Sequence, residues 1–210
     1  MFGETWLLDR VTFWIPLVFS LTVHEWAHAW SAFHLGDATA EREGRMTLNP
    51  LAHIDPVGTL LLPMVAPIGW ARPVPVNMGL FHRDVGPRTG DVLVAAAGPI
   101  SNLCLAFLSG VLLLASVRWF GSTAAVPAAW HSLLDVCILV NVLLALFNLI
   151  PVPPLDGSRI VDALLPDSLR GPWDAFCSLG PASLIVVLVV VAATGGVRFT
   201  WPIEATRSAI

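Results

Sequence analysis

Four long apolar runs, at Val11–Leu35, Val92–Val117, Leu133–Ile150 and Ala182–Ala193, leave this 210-residue chain few ways to fold. A helix needs about 20 apolar residues to cross the hydrocarbon of a bilayer, and the first two runs exceed that. Leu133–Ile150 reaches it with its flanks, and Ala182–Ala193 does so once 178–181 and 194–197 extend it. Only 12% of the residues are charged, against about 25% in a soluble domain, so the runs read as spans and not as buried core. The expected fold is an all-α polytopic membrane protein, a single integral membrane domain over 1–210, with about four to five transmembrane helices. Glu4 and Asp9 precede the first run and no small-residue cleavage site follows it. It therefore reads as a mature helix and not as a removable leader.

A shorter apolar run, "VGTLLLPMVAPIGW" from Val57 to Trp70, holds two internal prolines. It is too short and too broken to cross, so a re-entrant or interfacial segment is expected near 57–77, packed on protein or lining a wet cavity. All the basic residues are arginines, and five of them lie between Gly36 and Asp91 (Arg42, Arg45, Arg72, Arg83, Arg88). Only Arg118 stands between the second and third long runs. The positive-inside rule then puts the 36–91 segment in the cytoplasm and the N-terminus outside. Tryptophans near run ends (Trp6, Trp70, Trp119, Trp130, Trp173, Trp201) fit interfacial belts. With a net charge of −4 and no basic patch, nucleic acid is not an expected partner. Cys104, Cys137 and Cys177 are isolated, with no CxxC pair, and Cys104 and Cys137, in apolar runs, read as buried small hydrophobes.

Inside the first apolar run stands "TVHEWAHAW", Thr22 to Trp30. Ionisable groups are expensive in a spanning segment and point to function there. His24-Glu25-Trp26-Ala27-His28 is an HExxH pattern: residues four apart share a helix face, so both imidazoles reach one metal with Glu25 beside it as general base. With this chain's His and Glu content the pattern arises by chance in about one such chain in 250, so chance is a poor account of it. A catalytic zinc site uses three protein ligands and leaves a position for water, so a third is needed. His34 is six residues beyond His28, about 9 Å farther along the helix and round it. Asp156, in "NLIPVPPLDGSRI" after the third long run and a Pro-rich break, is the stronger candidate. If 57–70 does not cross, Asp156 lands on the side where the first helix ends.

The motifs together resemble the site-2 protease family of intramembrane zinc metalloproteases, in its short bacterial and archaeal forms without PDZ or CBS domains. The matching pieces are "HEWAH" (24–28), "GRMTLNPLAHIDPVGTLLLP" (44–63), "GWARPVPVN" (69–77), "AGPISN" (97–102) and "NLIPVPPLDG" (148–157). The resemblance implies one Zn2+ per chain held at the positions of His24, His28 and Asp156, with Glu25 as the catalytic acid/base and Asn148 assisting near the metal or the reacting carbonyl. It also implies membrane-embedded protein substrates. Family members with six spans place one before the HExxH helix, whereas here the motif lies in the first run.

Other residues carry weaker expectations. His53, in "NPLAHIDPVG", is a candidate accessory group at the mouth of the site, or a plain loop histidine. "ARPVPVN" suits an extended edge segment able to pair with an unwound substrate, or a Pro-rich loop. Asn102 suits a hydrogen bond between helices, and His82 and His131 read as loop and interface residues. His24 lies about 20 Å into the first helix, past the midplane, so the active site is expected toward the cytoplasmic side of a multi-pass protein in the cell membrane. Two other readings stay open at this level: a catalytically silent relative that binds membrane proteins, and a metal-ion transporter. Nothing in the residues specifies a homo-oligomer or a regulatory partner.

Overall fold

A computed structural model describes residues 5–61, 69–180 and 182–187. The middle of the short run (62–68), the end of the fourth long run (188–193) and Trp201 lie outside the described residues. Six helices are named here: α1 (Thr5–His34), α2 (Thr39–Arg42), α3 (Pro87–Phe120), α4 (Ala128–Asn148), α5 (Asp156–Leu164) and α6 (Arg170–Cys177). No β-strand occurs among the described residues, as expected for an all-α chain.

Among the described residues, two helices, α3 and α4, are long and apolar enough to cross a membrane. α3 opens with Pro87 at its first position and closes on Gly121, whose φ of +84° is a left-handed cap. Its exposed side chains include Phe107, Leu114 and Trp119, at 71%, 72% and 86% exposure, and Cys104, expected to be buried, is exposed as well. Such side chains so far out on one helix are at home against lipid, not water.

α3 packs on both α1 and α4, and α1 also meets α4. Small residues make this close approach feasible: Ala29, Ala32 and Ala95 are fully buried between the helices. Phe13, Leu17 and Leu21 of α1 pack with Val136 and Val140 of α4 and with Ala71. Toward the other end of α1, Ala32 packs with Phe81 and Val94. α1 stops at Gly36, where φ is +108° and a Cβ would lie 2.9 Å from the Leu80 carbonyl oxygen. Only glycine fits both the dihedral and the space.

The two described ends of the short apolar run meet. Trp70 N–H donates to the Gly58 carbonyl (3.1 Å), and the Thr59 hydroxyl donates to the Trp70 carbonyl (2.7 Å). Trp14 of α1 donates its indole N–H to the Thr59 carbonyl (2.8 Å), fastening that end of the run to the first helix. Chain beyond it, Ala71 to Asn77, is neither helix nor strand.

Candidate metal centre

The third candidate ligand arrives through a break in helicity. α4 ends at Asn148, and the prolines at 151, 153 and 154 forbid its continuation. α5 then starts at Asp156. Gly157 is obligatory here, because a Cβ on it would lie 2.3 Å from the Leu149 carbonyl oxygen. This tight return carries Asp156 onto the face of α1 that bears the two histidines. Its Oδ2 lies 3.2 Å from His24 Nε2 and 3.3 Å from His28 Nε2, and the two Nε2 atoms are 3.0 Å apart. One ligand atom from each residue lies within 4.8 Å of the others, and all three residues are buried.

Each imidazole is held by its far nitrogen. His28 Nδ1 donates to the Val94 carbonyl of α3 (2.7 Å). A carbonyl only accepts, so Nδ1 carries the proton and the Nε2 lone pair faces the centre. His24 Nδ1 bonds Asn102 Oδ1 (2.6 Å). Asp156 Oδ2 has no proper hydrogen-bond donor and is buried. Acceptor atoms converging in a buried space favour a cation among them, and two imidazoles with a carboxylate suit a borderline metal such as zinc.

α3 builds the opposite wall with a period of four: the Val94 carbonyl, then Gly98, then Asn102. At Gly98 a Cβ would sit 2.5 Å from His28 Nε2 and 2.6 Å from His24 Nε2, so glycine leaves the room that the donor atoms need. Asp91, one turn earlier, accepts from Nε (3.0 Å) and Nη2 of Arg159 on α5, locking the helix that bears Asp156 onto α3.

Glu25 is turned toward the 71–77 segment, where its Oε2 accepts from Val74 N–H (2.9 Å). This segment is a strap tied along its backbone. Arg45 Nη2 donates to the carbonyls of Arg72 (2.6 Å) and Pro73 (3.2 Å), Arg72 N–H donates to the His53 carbonyl (2.9 Å), and Asn77 N–H to Asp37 Oδ2 (2.6 Å). Burial, then Arg72, push the Arg45 guanidinium down while Glu25 and Glu43 push it up, and it stays the cation. Hydrogen bonds to backbone carbonyls also hold the remaining expected residues. Asn148 donates its amide to the Leu144 carbonyl of its own helix (2.9 Å). His53 is buried under the strap with Nε2 against the Thr47 carbonyl (2.8 Å) and Nδ1 unpartnered. His34 is exposed at the end of α1, bonded to the Trp30 carbonyl.

Sequence reasoning passed over Gly98, Asn141, Arg45 and Asp37. A signal existed for one of them: Asn141 is a lone amide amid an apolar helix, and such groups find polar partners.

Metal-donor side chains of this kind on a helix, with a carboxylate next to one of them, fit the class of helical metallohydrolases. The sequence model of peptidase family M50 matches residues 108–191. "Putative zinc metalloprotease YwhC" of Bacillus subtilis (strain 168) is 44% identical over 199 residues, 93% of this chain and 87% of that protein. A Mycolicibacterium smegmatis protein named Rip2, of the same designation, is 32% identical over 82% of this chain and 63% of its own length. Zinc metalloprotease MJ0392 of Methanocaldococcus jannaschii is 33% identical over 87 residues, 41% of this chain and 23% of that protein. No solved structure matches. The chain belongs to peptidase family M50, the site-2 protease family of metalloproteases.

Proposed function

We propose that this protein is an intramembrane zinc endopeptidase that hydrolyses peptide bonds within or beside transmembrane segments of other membrane proteins. The observation that carries this reading is the convergence of His24, His28 and Asp156 from opposite ends of the sequence on one buried point, with Glu25 beside them. The three are the metal ligands in this reading. A zinc ion in such a set supplies Lewis acidity, activating water and polarising a carbonyl. Glu25 takes the proton of the attacking water and returns it to the leaving amine. Its bond to Val74 N–H holds the carboxylate by one oxygen and leaves the other for the proton. The buried walls of α1 and α3 restrict water to what the strap side admits.

Asp156 reaches the histidines from the end of α4, so α1 and α4 bring their C-terminal ends to the same side. The meeting of Gly58 with Trp70 supports a re-entrant turn and not a crossing. With the arginines of 36–91 on that side, the centre faces the cytoplasm. Asn148 and His53 are the accessory groups of this reading: Asn148 spends one amide N–H on the Leu144 carbonyl and keeps its oxygen and second N–H, and His53 keeps Nδ1 unpartnered.

The test measures zinc content and cleavage in the purified full chain in detergent. About one zinc per chain is expected in the wild type, a sharp loss in Asp156→Ala, and full zinc with no cleavage of a model transmembrane substrate in Glu25→Gln. A Glu25→Gln protein that still cleaves sinks the assigned role of Glu25, and zinc unaffected by Asp156→Ala removes Asp156 from the ligand set.

A further inference from the structure

A line of buried amides runs from the middle of α4 to the first histidine. Asn141 Nδ2 donates to the Cys137 carbonyl (2.8 Å), and Asn141 Oδ1 accepts from Asn102 Nδ2 (2.8 Å). Asn102 Nδ2 also donates to the Ser20 carbonyl (3.3 Å), and Asn102 Oδ1 faces His24 Nδ1 (2.6 Å). Asn102 is fully buried and Asn141 is 2% exposed, so no solvent can substitute for a missing partner.

We propose that Asn141 is a positioning residue for the metal centre: it fixes which way the Asn102 amide points, and through that amide which nitrogen of His24 holds the proton. The proposal rests on His24 being a ligand. Backbone carbonyls anchor the direction, since they only accept hydrogen bonds. The Cys137 carbonyl requires the NH2 of Asn141, which leaves the Asn141 oxygen to receive the NH2 of Asn102. The Ser20 carbonyl takes the second N–H of the same group. Asn102 then has only its oxygen to offer His24, so Nδ1 carries the hydrogen and the Nε2 lone pair faces His28 and Asp156. A reversed Asn102 amide would set oxygen against two oxygens on one side. On the other it would present N–H to Nδ1, moving the proton to Nε2, where it blocks the metal. His28 needs no such relay, because its Nδ1 meets the Val94 carbonyl directly. The two ligands are thus oriented by different devices, one by a single carbonyl and the other by two asparagines in series.

A carboxylate has no wrong way round, and this gives a test that packing alone would not pass. Full-length variants in detergent are titrated with zinc against a competing chelator, and the tautomers of their histidine rings are read from 15N chemical shifts. Asn141→Leu is expected to weaken zinc binding by about 10- to 100-fold, the range of losses when an outer partner of a metal ligand is removed. It should also shift part of the His24 ring signal to the other tautomer. Asn102→Asp accepts from His24 in either orientation but sets an oxygen against the Ser20 carbonyl, so Asn102→Asp/Asn141→Leu is expected to restore the His24 tautomer and part of the lost affinity. Asn141→Asp, which still accepts from Asn102, should bind more tightly than Asn141→Leu and serves where the leucine variant fails to fold. Unchanged affinity and tautomer in Asn141→Leu, or a double variant no better than the single one, would overturn the relay. A wild type that binds no zinc would instead remove the proposed function itself.

Discussion

Gly98 shows how much the centre depends on an absent side chain. A Cβ there would approach both Nε2 atoms to within 2.6 Å, and the rings cannot swing aside while their Nδ1 atoms are bonded to Asn102 and Val94. Gly98→Ala should improve the local helix by about 1 kcal/mol, yet overpacking works against it by a similar amount. We therefore expect thermal stability within a few degrees of wild type and zinc affinity reduced by more than about tenfold. Calorimetry beside a chelator competition separates the two effects. Tight zinc binding in Gly98→Ala would show that the helices part easily, and that glycine is not needed for the metal.

At the scale of elements, the strap from Ala71 to Asn77 is irregular chain held in place by side chains from distant elements. Arg45 supplies two of its ties and is itself only 6% exposed. Arg45→Met keeps the apolar stem and removes both hydrogen bonds, a loss of about 2–3 kcal/mol for bonds from a charged donor. The expected outcome is faster hydrogen exchange at Val74 and neighbouring amides, with zinc stoichiometry unchanged because no ligand lies on the strap. Retained protection at Val74 would mean that Glu25 and Asp37 hold the strap without help. Of this element the sequence shows only the extended tendency of "ARPVPVN", since prolines mark where a helix cannot form. It does not show the ties, which join residues 19 to 49 positions apart. The HExxH face was legible because both proposed ligands lie on one helix at a spacing set by helical geometry. Asp156 was legible through its motif, while the Asn102–Asn141 chain depends on how α1, α3 and α4 pack, which periodicity does not encode. Run lengths gave α3 and α4 closely. Expected α1 begins at Val11, whereas the chain is already helical at Thr5.

Across the whole molecule, the fold separates a chemical end from a bare one. The strap, α2 and the start of α3 gather where α1 ends, and Asp156 joins them from α4. The turn between α3 and α4 lies at the far end of a 34-residue helix, about 50 Å away. That length exceeds the roughly 30 Å of hydrocarbon, so both ends of α3 stand in water on opposite faces if the protein spans as proposed. Single cysteines placed on a chain freed of Cys104, Cys137 and Cys177 test this: Glu43→Cys beside α2, and Ser122→Cys in the far turn, both at exposed positions. In intact cells an impermeant maleimide should label Ser122→Cys and spare Glu43→Cys until the membrane is opened. The reverse pattern would place the metal centre on the outer face and contradict the arginine distribution. Labelling of both in intact cells would mean that α3 does not span, and the reading of the centre as intramembrane would fall with it.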